Sequence, residues 1–265
     1  MGGTLRAIVT GARGTLGAVL CQRIVSAGGE AIPWDRARVP IDDYGAMEHF
    51  VRESGASAIF HLALASKPTG IENESWLVNW QWPSELAWIA RQLGVPFVYT
   101  STVMVYTNAV PGPRDPATPA DETEGYGAEK RRAEEQVLHQ NPGAIVARLG
   151  WQIGSAPGTN NMIDFLERTN RESGAIRAST RWIPACSFLE DTADALLSLP
   201  GAGSGIHHVE GNSTGLDFHR IATGLNALHG NRWRIVATDD FVLDQRLRDT
   251  RVPVGCVEAR LPPAA

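Results

Sequence analysis

The chain has 265 residues, of which 43% are hydrophobic and 20% are charged, so it can bury a large core as one domain or as one domain with an appended lobe. The net charge is −5 and Lys and Arg are dispersed along the chain, which argues against nucleic acid as a partner. No apolar run approaches the roughly 18 residues that span a membrane, and a strand begins within about five residues of the start, which leaves no room for a signal peptide. We therefore expect a cytoplasmic protein with no membrane partner.

The three cysteines, Cys21, Cys186 and Cys256, are far apart and none belongs to a CxxC pair. This spacing predicts neither a disulfide framework nor a zinc site. His207 and His208 are adjacent and would point to opposite faces of a strand, so they cannot bind one metal ion together. We therefore predict that the protein binds no metal.

The first predicted elements are an apolar strand over residues 5–10, a glycine turn, and a helix that begins near Thr15. The glycines follow the pattern TGxxGxxG, in which the first permits a tight turn, the second lets the backbone approach a pyrophosphate, and the third packs helix on strand. The helix N-terminus adds backbone N–H groups and a positive dipole end. The stretch predicts dinucleotide binding. The predicted binding residues here are Gly11, Arg13, Gly14, Thr15, Leu16 and Gly17.

A second strand, predicted over residues 30–34, ends at a pair of charged residues. Asp35 and Arg36 stand about twenty residues beyond the glycines, where a residue that reads the ribose is expected. The Asp35 carboxylate would accept hydrogen bonds from the ribose hydroxyls and favour NAD, whereas Arg13 and Arg36 would pair with the 2′-phosphate of NADP. The residues alone leave both cofactors open.

The segments that follow alternate between helix and strand, which predicts a parallel sheet. A helix over residues 43–54 leads to a strand over residues 58–62. Leu62 and Ala63 lie at the carboxyl end of that strand, where ligands bind in open α/β folds, so we expect them to contact the cofactor. His61 is interpreted as a buried core histidine.

A longer helix, predicted from about Ser75 to Leu93, carries four tryptophans. Their helical spacing favours packing or an oligomer face over a cofactor site. Pro83 is expected to kink or break this helix.

The predicted catalytic residues lie on the next strand and helix. A fourth strand over residues 94–106 carries Thr102, and a helix over residues 121–138 carries Tyr126 and Lys130, which are four residues apart and share one face. An ammonium beside a phenol favours the phenolate, so we expect Lys130 to lower the pKa of Tyr126 towards the range of a general acid–base. This set is suited to reducing a ketone with a nicotinamide hydride: Tyr126 supplies the proton, Thr102 holds the carbonyl, and Lys130 grips the nicotinamide ribose.

Together these motifs resemble the extended short-chain dehydrogenase/reductase family, and more narrowly its dTDP-4-dehydrorhamnose reductase branch. The matching segments are TGARGTLG from Thr10, LVNW from Leu77, YTSTVMVY from Tyr99, YGAEK from Tyr126 with Glu134 after it, RLGWQIG from Arg148 and GTN from Gly158. The resemblance covers nearly the whole chain. It implies a Rossmann-type doubly wound parallel sheet with a small C-terminal substrate lobe, the catalytic set Thr102, Tyr126 and Lys130, and NADP as cofactor because of Arg13, with NAD as the alternative.

The resemblance also implies the residues that contact the substrate. Arg148, Trp151 and Asn160 match motif positions beside the sugar, although Arg148 equally fits a structural ion pair. Trp182 could stack on a base or sugar, but core packing suits a lone tryptophan better. Val103 stands where the family usually has Asp, which removes a polar group next to the reacting carbon. Pro40 likewise stands where an adenine-contacting Asp is common.

The predicted domain organisation is an NAD(P)-binding core over residues 1–150, with returns from about 185–210. Residues 151–265 form mainly a substrate-binding lobe with covering helices. Later helices are predicted near residues 162–172, after Asp191 through Leu199, over 216–229 and over 241–249. A return strand is predicted over 205–211.

The preferred function is NAD(P)H-dependent reduction of a 4-keto group on a nucleotide-activated 6-deoxysugar. A sugar-nucleotide epimerase or a natural-product ketoreductase of the same fold would keep Tyr126 and Lys130 but alter the pocket, as Val103 suggests. A third alternative, from a different class, is a non-catalytic NADP-binding regulatory subunit. A homodimer is compatible with each of these.

Overall fold

The structure is a computed structural model that describes residues 4–65, 70 and 72–263. The strands are β1 (Arg6–Thr10), β2 (Glu30–Pro33), β3 (Ala58–His61), β4 (Phe97–Thr102), β5 (Ile145–Leu149), β6 (Trp151–Ile153), β7 (Ile176–Ser179), β8 (Trp182–Ile183), β9 (Cys186–Phe188), β10 (Gly205–Val209), β11 (Ile235–Thr238) and β12 (Leu243–Asp244). The helices are α1 (Thr15–Ser26), α2 (Tyr44–Ser54), α3 (Glu74–Trp76), α4 (Trp82–Leu93), α5 (Gly125–Gln140), α6 (Met162–Ser173), α7 (Leu189–Ser198), α8 (Phe218–Leu228) and α9 (Val257–Arg260).

One parallel sheet of six strands organises the molecule, in the order β10-β5-β4-β3-β1-β2. After β1 the chain first moves outward to β2 and then returns to place β3 on the other side of β1. This reversal creates a crevice at the carboxyl ends of β1 and β3, which is where open α/β sheets bind ligands. The predicted doubly wound parallel sheet is confirmed.

Two hydrophobic clusters pack on the two faces of this sheet. On one face, α2, α4 and α5 bury Met47, Leu86 and Val137 against the strands. On the other, α1 and α7 bury Leu20 and Leu196. α7 and β10 come from late in the chain, so residues 189–198 and 205–209 also contribute to the sheet and its packing.

A third cluster lies outside the sheet and joins the elements that follow β5. It packs α6 and α8 on short parallel strand pairs, β6 with β9 and β7 with β11. Ile163, Ile176 and Ile221 are all fully or nearly fully buried within it. The chain after residue 150 therefore has a small core of its own beside the sheet.

The predicted tryptophan-rich helix is interrupted ahead of Pro83. The chain forms α3, then a π-helical turn over Leu77–Gln81, and then α4 with Pro83 near its first position. Proline has no N–H to donate to the preceding turn, and the wider π turn accommodates that loss. Among the described helices, none is long and apolar enough to cross a membrane.

Two predicted elements differ from the structure. β4 ends at Thr102, and a 3-10 turn over Val103–Val105 follows, because the Thr102 hydroxyl accepts the N–H of Met104 at 3.2 Å. The predicted helix over residues 241–249 is wrong, because this segment is extended and pairs with β8 through β12.

The side chains of the 241–249 segment suit an extended chain. Asp244 and Arg246 are two residues apart and form a bidentate ion pair at 2.7–3.2 Å. Side chains two apart share a face in a strand but not in a helix. Arg114 lies in a loop over residues 110–119 that contains four prolines. Its backbone N–H donates to the carbonyl oxygen of Arg246, and its carbonyl oxygen accepts the N–H of Arg248.

Candidate active site

A cavity of about 650 Å³ runs along the carboxyl edge of the sheet. It reaches from the end of β2 to the end of β5, which are four strand spacings apart, or about 19 Å. Its lining includes, from the predicted site, Gly11, Arg13, Gly14, Thr15, Leu16, Arg36, Leu62, Ala63, Tyr126, Lys130, Trp151 and Asn160. Residues that the sequence predicted separately thus meet around one space.

The glycine loop fits a dinucleotide phosphate. Gly11 has φ of +66°, and a Cβ there would lie 2.9 Å from the backbone of Leu62 and Ala63, so only glycine lets the two strand ends approach. A Cβ on Gly17 would lie 2.2 Å from the Gly11 carbonyl oxygen, so Gly17 supports the loop without lining the cavity. No side chain caps α1 and its first turn has no acidic residue. Its first N–H groups are therefore left for an anion.

The end of the cavity beside β2 is lined by arginines rather than by the predicted carboxylate of Asp35. Asp35 does not line the cavity, because its side chain accepts the N–H of Ala37 at 3.0 Å and lies 3.8 Å from the guanidinium of Arg38. Arg13 and Arg36 do line it, and Arg36 lies 3.6 Å from the carboxylate of Glu74. The ribose-binding role predicted for Asp35 has no support in this geometry.

Tyr126 and Lys130 both line the cavity. About a third of Tyr126 is exposed (37%), whereas Lys130 is only 4% exposed. The Lys130 ammonium lies 4.2 Å from the centre of the Tyr99 ring, a cation–π distance. The two residues therefore share one face of α5, as predicted.

The predicted effect of Lys130 on Tyr126 is wrong in the protein without ligand. Burial raises the pKa of Tyr126 to about 12, with a smaller contribution from the Glu129 carboxylate. Burial also lowers the pKa of Lys130 to about 7, although the Glu134 carboxylate opposes this. Desolvation is the larger cause of both pKa shifts, because burial removes water from the charged form of each group. Tyr126 is thus protonated at neutral pH, as a proton donor requires.

The two hydroxyl residues at the end of β4, Ser101 and Thr102, differ in whether they line the cavity. Ser101 lines the cavity, and within the described residues its hydroxyl has no hydrogen-bond partner. Thr102 does not line the cavity. Its oxygen accepts the N–H of Met104, which leaves its own proton free to donate.

His61 is a buried core histidine, as interpreted from the sequence. The Thr10 hydroxyl accepts the N–H groups of Leu62 and Ala63 at 3.0 and 3.1 Å, so its proton points to His61 Nδ1 at 3.1 Å. Burial and the nearby Lys130 hold the pKa of His61 well below its usual value. This contact fixes the two backbone positions that line the cavity, a function of Thr10 that sequence reasoning missed.

Arg148 lies outside the cavity. It is 2% exposed and forms a bidentate ion pair with Glu134 at 2.7–3.2 Å, and it also donates to the Tyr106 hydroxyl. Every nitrogen of its guanidinium group donates into this network, so the structure contains the ion pair that the sequence also allowed, and Arg148 does not line the cavity.

Val103 and Trp182 are also away from the cavity. Val103 is buried in a small apolar cluster with Val105 and Leu247. Trp182 packs on Trp151 and Phe218. Its indole N–H donates to the side-chain amide oxygen of Gln245 at 2.8 Å. Of the five predicted substrate residues, only Trp151 and Asn160 line the cavity.

Further lining residues were not named as site residues by the sequence analysis. Those at or just beyond the ends of strands are Ala12, Pro33, Trp34, Leu64, Ala65, Thr100, Ser101, Leu149 and Gly150, and the rule that ligands bind at the carboxyl ends of strands would have identified them. Glu74, Val78, Trp82 and Gln152 also line the cavity, and that rule does not point to them. Within the described residues, no group of three or more His, Cys, Asp or Glu is placed to hold a metal ion.

The chain is similar to a polysaccharide biosynthesis protein and to dTDP-4-dehydrorhamnose reductases. It is 25% identical over 241 residues to the spore coat polysaccharide biosynthesis protein SpsK of Bacillus subtilis, covering 89% of this chain and 84% of that protein. It is 27% identical over 206 residues to the dTDP-4-dehydrorhamnose reductase of Mycobacterium tuberculosis (strain CDC 1551 / Oshkosh), covering 75% of this chain and 66% of that enzyme.

A solved structure shares the fold. The dTDP-4-dehydrorhamnose reductase of Bacillus anthracis in complex with NADP superposes with a TM-score of 0.75 at 21% identity, covering 90% of this chain and 85% of that one. The family model described as the RmlD substrate binding domain matches residues 5–217. The chain therefore belongs to the RmlD family of extended short-chain dehydrogenases/reductases, which confirms the resemblance.

Proposed function

We propose that this protein is an NAD(P)H-dependent reductase of a keto group on a nucleotide-activated 4-keto-6-deoxysugar. The observation that carries the proposal is that Tyr126 and Lys130 line the same cavity as the glycine loop. A pair that only stabilised α5 would have no need to face a cofactor site. The family, and the dTDP-4-dehydrorhamnose reductases among its relatives, support the substrate class.

NADP is the proposed cofactor, and NAD is the alternative. Arg13 and Arg36 line the end of the cavity that follows β2, where the adenosine ribose lies in this fold. Guanidinium groups favour a 2′-phosphate, and the Bacillus anthracis reductase was solved with NADP.

Tyr126, Thr102 and Lys130 have different roles in the proposed reaction. The nicotinamide, when bound, supplies the hydride to the carbonyl carbon. Tyr126, protonated at neutral pH because its pKa is raised to about 12, donates its proton to the carbonyl oxygen as negative charge develops there. By the family resemblance Thr102, which follows the lining residue Ser101 but does not itself line the cavity, would donate a hydrogen bond to the same oxygen, and Lys130 would hold the nicotinamide ribose. The alcohol product leaves, and solvent reprotonates Tyr126.

We propose that the two parts of the chain have different roles. Residues 1–150, with the return at about 185–210, bind the cofactor, and residues 151–265 form mainly the substrate lobe.

A cytoplasmic location and a homodimer remain predictions. Trp76 and Trp88 are 51% and 37% exposed on the α3–α4 stretch, which suits an interface between two copies.

The test is consumption of NADPH and of NADH with a dTDP-4-keto-6-deoxyhexose generated in place, for the wild type and for Tyr126→Phe. We expect turnover by the wild type and a loss of at least about 100-fold in the variant, because it cannot donate a proton. Tyr44→Phe, at an exposed tyrosine outside the cavity, is the matched control and should keep full activity.

Other outcomes separate the alternatives. Interconversion of a sugar nucleotide without net consumption of NADPH would identify an epimerase. Tight cofactor binding without turnover of any keto sugar would favour a regulatory subunit and would contradict the proposal.

A further inference from the structure

The far end of the cavity differs in chemistry from the adenosine end. The glycine-loop end carries Arg13 and Arg36, whereas the end beyond β5 is lined by residues 149–152 and Asn160, none of which is charged. Among the described residues that line this end, none would offer a phosphate or carboxylate a cation to pair with. A neutral group that bears hydroxyls fits this lining.

Gln152 places a polar group in this uncharged lining. It lies in the middle of β6, opposite Ser187 of β9. Gln152 lines the cavity, and its neighbour Ile153 is buried in the lobe core. Because side chains alternate along a strand, the Gln152 side chain lies on the face of β6 opposite to Ile153.

The amide of Gln152 is oriented by one hydrogen bond. Its Nε2 donates to the Gly150 carbonyl oxygen at 3.0 Å, which fixes which end of the amide is the oxygen. Oε1 is shielded from solvent, and across residues 4–65, 70 and 72–263 no donor lies within hydrogen-bonding distance of it. A buried acceptor in this state is unfavourable until a donor reaches it.

We propose that Gln152 is a specificity-determining residue whose Oε1 accepts a hydrogen bond from a hydroxyl of the sugar ring. An amide oxygen attracts a hydroxyl proton and repels the oxygens of phosphate or carboxylate. The inference rests on the proposed function and deepens it, because it names a residue that would recognise a hydroxyl of the substrate's sugar. Sites built to bind a substrate hydroxyl discriminate strongly against the analogue that lacks it, because the acceptor is then left unpaired.

The test compares a dTDP-4-keto-6-deoxyhexose with its 2-deoxy and 3-deoxy forms. For the wild type, we expect kcat/KM to fall by roughly 10-fold or more with at least one deoxy form. In Gln152→Leu, we expect that ratio to shrink to about 2-fold or less, because leucine cannot distinguish hydroxyl from hydrogen by hydrogen bonding. Gln92→Leu, at an exposed glutamine on α4, is the matched control and should keep the wild-type ratio.

The ratio between two substrates of the same variant is independent of how much enzyme is folded, so a loss of stability in Gln152→Leu does not affect the result. Equal kcat/KM for all three sugars in the wild type would overturn the inference, and so would a wild-type ratio in Gln152→Leu. Failure of the proposed function is distinguishable, because the wild type would then turn over none of the three sugars.

Discussion

Replacing Lys130 by methionine is expected to stabilise the protein against unfolding while it abolishes turnover. Lys130 is 4% exposed, and burial lowers its pKa from 10.5 to about 7. In the unfolded chain the same lysine is hydrated and fully protonated at pH 7. Folding must therefore either bury the ammonium or release its proton, and both cost free energy.

The size of this cost follows from the pKa. One pKa unit corresponds to about 1.4 kcal/mol, so a lysine that is fully protonated when unfolded and half-protonated when folded costs about 4 kcal/mol at pH 7. The unfolded state binds more protons than the folded state between about pH 7 and pH 10.5, so this cost shrinks as pH rises, to about 2 kcal/mol at pH 9. Methionine is similar in length and carries no charge. The lost contact with Tyr99 offsets part of the gain, so we expect a net gain of about 2 kcal/mol or more at pH 7.

The assay is urea unfolding of the wild type and Lys130→Met at pH 7 and pH 9, with turnover measured in parallel. Arg132→Met, at an exposed position on the same helix, removes a positive charge from solvent and should change the free energy of unfolding by less than about 0.5 kcal/mol. If Lys130→Met were no more stable than the wild type at pH 7, or if its advantage were the same at both pH values, the argument from desolvation would be refuted.

Three further predictions concern the cofactor loop and the buried ion pair. Arg13→Ala is expected to weaken NADPH binding by roughly 10-fold or more and NADH binding by much less, as measured by cofactor fluorescence; equal losses would remove the argument for NADP. Gly17→Ala should lower the melting temperature and weaken both cofactors, because a Cβ there would lie 2.2 Å from the Gly11 carbonyl oxygen; unchanged binding would show that the loop can shift freely. Arg148→Met should destabilise the fold by about 3–5 kcal/mol by leaving Glu134 buried and unpaired, and adding Glu134→Leu should recover part of that loss in urea unfolding. No recovery in the double variant would mean that Arg148 acts through other contacts.

The sequence alone predicted the elements whose signals are local. The period of apolar residues and the glycines located β1 and α1, and Asp43 before α2 caps that helix by accepting the N–H of Ala46 at 2.9 Å. Alternation of strands and helices was sufficient to predict the parallel sheet, and its carboxyl edge located the cofactor site. Tyr126 and Lys130 also followed from spacing, because residues four apart on a helix must share a face.

The errors arose where a distant partner decides the local structure. Residues 241–249 have apolar spacing that suits a helix, but β8 and the backbone of Arg114 supply hydrogen bonds that hold the segment extended. In the same way, the positive charge of Arg148 suits an anion-binding residue, and only the folded chain brings the Glu134 carboxylate to 2.7 Å from its guanidinium group.

What the sequence determined by itself is therefore the family, the sheet and the pair of residues on α5. The tertiary structure decided which polar residues line the cavity: Ser101 and Gln152 do, whereas Asp35 does not. It also decided the direction in which the pKa of Tyr126 and of Lys130 is shifted, because desolvation depends on every atom packed around a group and not on its neighbours in the chain. Spacing along one helix can place two side chains together, but the surrounding atoms set the pKa of each.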